Sequence, residues 1–362
     1  MLSSQILKTR VEELHSLTKV GLYVCDPDGR LLSSSAGDGI MPDNVGSDAV
    51  RSFAASPADS QTIGKVTLLK ILDSDGDLIY VLLTEGESQT SYMVARIAAG
   101  ELKLLNETSR EKNDRNLFYQ SLLLDNLLQV DILNRARKLR IENQKPRVVY
   151  VVDTRTEDDS TVTETLRGMF NVRTGDYVTA VDETTVILIR ALSEETSDTD
   201  LSLTAQMIVD TIASEAMVDV RVGYGTVAHE LREVSKSYKE AMMAIDVGKI
   251  FYASRKVNSY TSLGIGRLIY QIPQSQCEVF LNEVFRDLDP STIDEEIVTT
   301  VYKFFENSLN VSETARQLFI HRNTLGYRIE KLKSLTGLDV RNFDDALTFV
   351  IAMMVYNRVE SH

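Results

Sequence analysis

The chain has 362 residues, 43% apolar and 25% charged, which is globular composition with material for two or three domains. Its 39 Lys and Arg against 53 Asp and Glu leave a net charge of -14, which excludes a protein that coats nucleic acid along its whole length. Two widely separated cysteines, Cys25 and Cys277, argue against a redox motif or a zinc site and fit a reducing compartment.

Residues 1–100 read as a small α/β sensor unit. Ile6, Leu7, Val11, Leu14 and Leu17 recur at helical spacing. A strand follows over 20–25, Asp26-Pro-Asp-Gly29 turns the chain, and 30–33 return. The device recurs as strand 66–72, turn 73–77 and strand 78–84. A polar connection then enters a helix near Ser91. Backbone N–H groups at that helix start, with Ser88, Ser91 and Arg96, form a candidate carboxylate site; a plain helix cap is the alternative.

Residues 101–145 read as a helical connector. Its first part is charged; from Leu117 it becomes rich in leucine, with Leu122, Leu123, Leu124, Leu127, Leu128, Ile132 and Leu133. That band is too broad for an isolated helix, and it is expected to pack on a neighbouring domain or form a dimer contact. Residues 146–272 read as a second α/β domain: strand 147–152, helix 161–169, a hairpin of 177–180 and 185–192, helix 203–215, strand 220–225 and helix 231–247. Residues 273–362 are helical throughout.

The most informative segment is 310–332. Asn310, with Glu313 three residues on, has a capping-box pattern. Ala315 suits a close helix crossing, Leu318 and Ile320 fill the space between helices, and His321 can cap the second helix. Leu325, Ile329 and Leu332 share one face of that helix, while Arg322, Asn323, Thr324, Tyr327 and Arg328 lie away from it. This is a helix-turn-helix pattern. Arg and Asn suit guanine and adenine edges, and Lys331, Lys333, Thr314 and His321 suit phosphates. Residues 310–341 carry six cations against three acids, a basic patch on an acidic chain. Gly326 inside the helix has two readings, close approach to DNA or tolerance at an exposed site.

His321-Arg-Asn-Thr-Leu325, Tyr327-Arg328, Leu335-Thr-Gly-Leu-Asp339 and Asn342-Phe-Asp-Asp345 together resemble the C-terminal helix-turn-helix of the PucR/CdaR regulators of purine and sugar-diacid catabolism. Gly326 departs from the family pattern. Val220-Arg-Val-Gly-Tyr-Gly225 and the 231–241 helix are similar to the family's central domain, a degenerate relative of GGDEF cyclase domains. The first hundred residues match less clearly and look PAS-like. The resemblance implies an α+β multidomain chain: sensor 1–100, connector 101–145, degenerate GGDEF-like domain 146–272 and helix-turn-helix domain 273–362. It also implies a transcription regulator, tilted toward activation, that binds double-stranded DNA, answers a small-molecule effector and forms a homodimer or higher oligomer.

Enzyme readings lack their motifs. The cyclase hairpin reads Val181-Asp-Glu-Thr-Thr185 without flanking glycines, Gly223-Tyr-Gly225 is a bare G-x-G, and no P-loop or G-x-S-x-G elbow is present. His15, His229, His321 and His362 have no metal-ligand spacing. Neither catalytic residues nor a cofactor or metal are expected. A nucleotide enzyme or nucleotide-binding protein of the GGDEF class is the alternative, and a protein-interaction module with a vestigial helix-turn-helix is a third reading. The first 19 residues lack the apolar core of a signal peptide and the apolar run 349–356 is too short to span a membrane, so a cytoplasmic protein is expected.

Overall fold

A computed structural model describes residues 2–36, 41–42, 45–86, 89–154, 160–170, 174–182, 184–286 and 288–361. The chain divides into two compact units, Met1–Tyr119 and Gln120–His362, with the division inside the 101–145 stretch.

The first unit begins with α1 (Ser4–Thr18), β1 (Leu22–Cys25) and β2 (Leu31–Ser34). It continues through α2 (Ser47–Ala55), β3 (Ser60–Ile63), β4 (Val66–Leu72), β5 (Leu78–Glu85) and the long α3 (Gln89–Leu123). Its strands form one antiparallel sheet in the order β2-β1-β5-β4-β3. Side-chain alternation splits the core into two layers. Leu22, Val24, Leu69, Ile71, Tyr80 and Leu82 pack with Leu7 and Val11 of α1 and Ala95, Ala98 and Leu102 of α3. Tyr23, Cys25, Leu68, Val81 and Leu83 pack with Val50 and Phe53 of α2. The turns follow local chemistry: Asp26 accepts from Arg30 N at 2.8 Å, and Asp73 accepts from Asp75 N and Asp77 N at 2.9 Å.

The helical connector is made of two helices. α3 ends at Leu123, Asp125 takes a positive φ of 62°, and α4 (Gln129–Lys138) starts afresh. Leu122, Leu123 and Ile132 are buried, whereas Leu124, Leu128 and Leu133 are exposed.

Next come β6 (Arg147–Asp153), α5 (Ser160–Met169), β7 (Tyr177–Ala180), β8 (Thr185–Ala191), α6 (Asp198–Glu215), β9 (Arg221–Tyr224), α7 (Val234–Phe251) and β10 (Val257–Ser259). They build a sheet ordered β10-β9-β6-β8-β7, antiparallel except for the parallel β9–β10 pair. Val148, Tyr150, Val152, Leu188 and Val222 on one face meet Val162, Leu166, Ala205, Ile208 and Ile212 of α5 and α6. On the other face α7 presses close. A Cβ on Gly223 would stand 2.5 Å from Ala241 O, and one on Gly225 would stand 2.1 Å from Ser237 O. Ser237 Oγ fixes the approach by accepting from Val149 N at 3.1 Å and donating to Thr226 O at 2.7 Å.

The remaining helices are α8 (Gly264–Tyr270), α9 (Gln274–Phe285), α10 (Glu295–Glu306), α11 (Val311–Gln317), α12 (Arg322–Thr336) and α13 (Phe343–Glu360). Among the described residues, no helix is long and apolar enough to cross a membrane.

Candidate nucleic-acid interface

α10, α11 and α12 share a core of Ile297, Val301, Phe304, Ala315, Leu325, Ile329 and Leu332, joined by Phe349 and Ala352 of α13. Asn310 starts α11 by accepting from Ser312 N and Glu313 N at 3.0 and 3.1 Å. The expected reciprocal half of the capping box is replaced. Glu313 instead takes Arg316 in a two-point pair at 3.0 and 2.5 Å and accepts from Gln317 at 2.8 Å. Those bonds hold its carboxyl down at about 2, from an ordinary 4.5.

The turn out of α11 is a Schellman closure: Phe319 N donates to Arg316 O and Ile320 N to Ala315 O. Glycine usually holds the left-handed position of this motif. Here it is Phe319, with φ 56° and 96% exposed as a residue. His321 then caps α12, its Nδ1 accepting from Asn323 N at 3.2 Å.

The predicted residues separate into two groups. His321, Arg322, Asn323, Thr324 and Tyr327 are exposed at the start and outer face of α12. Thr314 is fully buried, and its hydroxyl donates to Asn310 O at 2.7 Å. Arg328 turns to α10, donating to Thr300 Oγ1 at 3.0 Å and pairing with Glu296. Lys331 stands 3.9 Å from Asp294. Lys333 pairs with Asp339, and Arg341 with Asp339 and Glu330. Of the patch's six cations, Arg322 alone has no ionic partner among the described residues. A groove of about 510 Å³ runs beside it, lined by Asn310, Ser312, Glu313, Arg316, His321 and Arg322 among others. A Cβ on Gly326 would meet nothing within 4 Å. Asp294 and Glu296, which hold the far flank of α12, were absent from the sequence prediction. They lie more than thirty residues from their partners in the chain and leave no local signal.

The other candidate sites look different. Ser88 lies outside the described residues, Ser91 is buried, and Arg96 is exposed on another side of α3. The structure does not bring Ser91 and Arg96 together. In the mixed sheet, Asp153 at the end of β6 pairs with Lys249 at 3.0 Å and is in register with Arg221. Asp182 is turned onto its own loop, accepting from Thr184 N at 3.0 Å.

A helical bundle ending in a capped helix with a polar outer face, behind a mixed α/β domain, defines a transcription regulator of the helix-turn-helix class. Residues 297–355 match the PucR C-terminal helix-turn-helix domain, and residues 125–247 match the GGDEF-like domain. The chain is 25% identical over 309 residues to the proline-responsive transcriptional activator PutR of Bacillus subtilis, covering 80% of this chain and 70% of that one. It is 24% identical over 303 residues to the carbohydrate diacid regulator of Escherichia coli, covering 78% and 77%. It is also 24% identical over 135 residues to the purine catabolism regulatory protein of Bacillus subtilis, covering 37% and 25%. The chain thus carries a PucR-type C-terminal helix-turn-helix behind a GGDEF-like domain and is similar to the PucR/CdaR transcription regulators.

Proposed function

We propose that the C-terminal helices read a specific double-stranded DNA sequence and that the chain activates transcription when a small effector binds it. The observation that carries the reading is the outer face of α12: Arg322, Asn323, Thr324 and Tyr327 stand exposed on a helix whose inner face is locked in a core. A helix fits the major groove, where Arg bonds guanine and Asn bonds adenine through two hydrogen bonds each. His321 and Lys331, at the start and flank of α12, are assigned to phosphates. Thr314 and Arg328 are assigned to holding α11 and α12 in place, because their polar atoms are bonded within the bundle.

The first unit is assigned as the sensor, of a PAS-like type. A five-stranded antiparallel sheet with helices on both faces supports this. Relatives named for proline and for carbohydrate diacids both point to carboxylate-bearing effectors as the class to screen first. The working form is a homodimer or larger, in the cytoplasm. The GGDEF-like domain is assigned no catalysis: Lys249 neutralises Asp153, and the backbone of α7 fills the space beside Gly223 and Gly225.

Selection of bound sequences from random duplexes tests the DNA reading. A single enriched motif is expected, with Arg322→Ala weakening one position by about 1–3 kcal/mol. Arg328→Ala should act through the stability of α12 and not through one base. No enrichment from folded protein, with or without carboxylate metabolites, would sink the reading; magnesium-dependent GTP turnover would favour the cyclase alternative.

A further inference from the structure

α3 has two apolar faces, and its own sheet uses one of them. Ala95, Ala98 and Leu102 pack into the first unit. On the opposite side Met93, Ile97 and Leu104 are 59, 64 and 63% exposed. With Gly100 they fall at alternating spacings of four, three and four residues, the repeat of a two-helix seam. Gly100 adds a second sign. Glycine in a helix interior costs about 1 kcal/mol against alanine, yet a Cβ there would meet nothing within 4 Å among the described residues. No contact among the described residues accounts for the missing side chain; close passage of another helix does.

We propose that this stripe is the contact with a second copy of the chain, the two α3 helices lying parallel and in register over 93–104. Flanking charge selects both the occupant and the direction. In a two-helix seam the residue just before one core position faces, in a parallel pair, the residue five further on in its partner. That rule sets Arg96 against Glu101 of the second copy, twice by symmetry. In an antiparallel pair the Arg96 and Lys103 side would face its own like, cation against cation. Arg10 of α1 stands 3.9 Å from Glu101, whose side chain stays 34% exposed.

The seam also has a built-in end. Continuing the repeat below Leu104 brings Glu107, Glu111 and Asp114 to the core positions. Two copies would there oppose acid to acid, so the helices separate beyond the fourth core position. The contact is short, about 17 Å of helix at 1.5 Å per residue, and it gives a concentration-dependent dimer. This inference stands apart from DNA recognition, since it is measured without DNA.

The test uses the full chain. Sedimentation should show a dimer that Leu104→Asp and Arg96→Glu each weaken by about tenfold or more, with far-ultraviolet circular dichroism unchanged. Leu104→Cys and Met93→Cys should each cross-link to themselves on mild oxidation; the native Cys25 and Cys277 are buried, and wild type is the control. A chain that stays monomeric at every concentration reached overturns the proposal. So does a dimer indifferent to Leu104→Asp, which would place the contact elsewhere. Cross-linking only in a mixture of the two cysteine variants would mean antiparallel helices and overturn it equally.

Discussion

Gly326 lies inside a helix that reads DNA in our proposal, and no contact among the described residues requires it to be glycine. Gly326→Ala should therefore stabilise the C-terminal helices by about 1 kcal/mol, the usual helix-interior difference. Slower amide exchange across α12 would register the gain. The same methyl group enlarges the face beside Arg322 and Asn323, so DNA affinity should fall while stability rises. Affinity unchanged alongside higher stability would assign Gly326 to simple tolerance. Arg328 teaches the complementary lesson. Its residue type and place on α12 were legible as DNA-reading chemistry, but its guanidinium is turned away by Glu296 and Thr300. A single helix's sequence gives the angular position of a side chain, whereas the partner that claims it comes from another helix.

At the level of elements, the first turns of α11 illustrate a second limit. Asn310 and Glu313 have capping-box spacing, and only the Asn310 half forms, because Arg316 and Gln317 compete for the carboxylate at helical spacing. Glu313 is held at about 2, below its ordinary 4.5, so its contribution is present above pH 4.5 and is lost as pH falls through 2. Glu313→Gln should remove that part of the acid dependence of α11, read by amide exchange at stepped pH. Elsewhere the elements followed their signals. The strands flanking the Asp26 and Asp73 turns came from turn chemistry, and the buried β6 came from its unbroken apolar run. β3 gave no such signal, since its Ser-Gln-Thr-Ile sequence is mostly exposed at a sheet edge. Phe319 is another gap: a left-handed helix end is anticipated from glycine, and phenylalanine conceals it.

For the whole molecule, both cysteines lie inside cores of their units. Cys25 is fully buried on β1, and burial pushes its thiol up to about 12. Cys277 is buried on α9, with its thiol also pushed up by burial. Neither thiolate forms near neutral pH, so a thiol reagent should label no cysteine in the native chain and two after unfolding. Fast native labelling of one thiol would show that the unit around it opens readily. The GGDEF-like domain and the C-terminal helix-turn-helix were legible in that order because the one mixes strand and helix periodicity and the other is helical throughout. Unpaired faces such as that of α3 were not, because apolar residues on both sides of a helix read as one broad band until the sheet claims one side.

The contact of α7 with β9 has a bearing on how sequence variation in this family would be interpreted. Gly223 and Gly225 admit no side chain, because the carbonyls of Ala241 and Ser237 already occupy the space a methyl group would take. A saturation screen scored on reporter output would mark both positions as sharply as the recognition helix. Scoring cellular protein level in parallel would part the two kinds of intolerance: variants at the glycines would vanish from the cell, while variants at Arg322 would persist in full amount and stay silent.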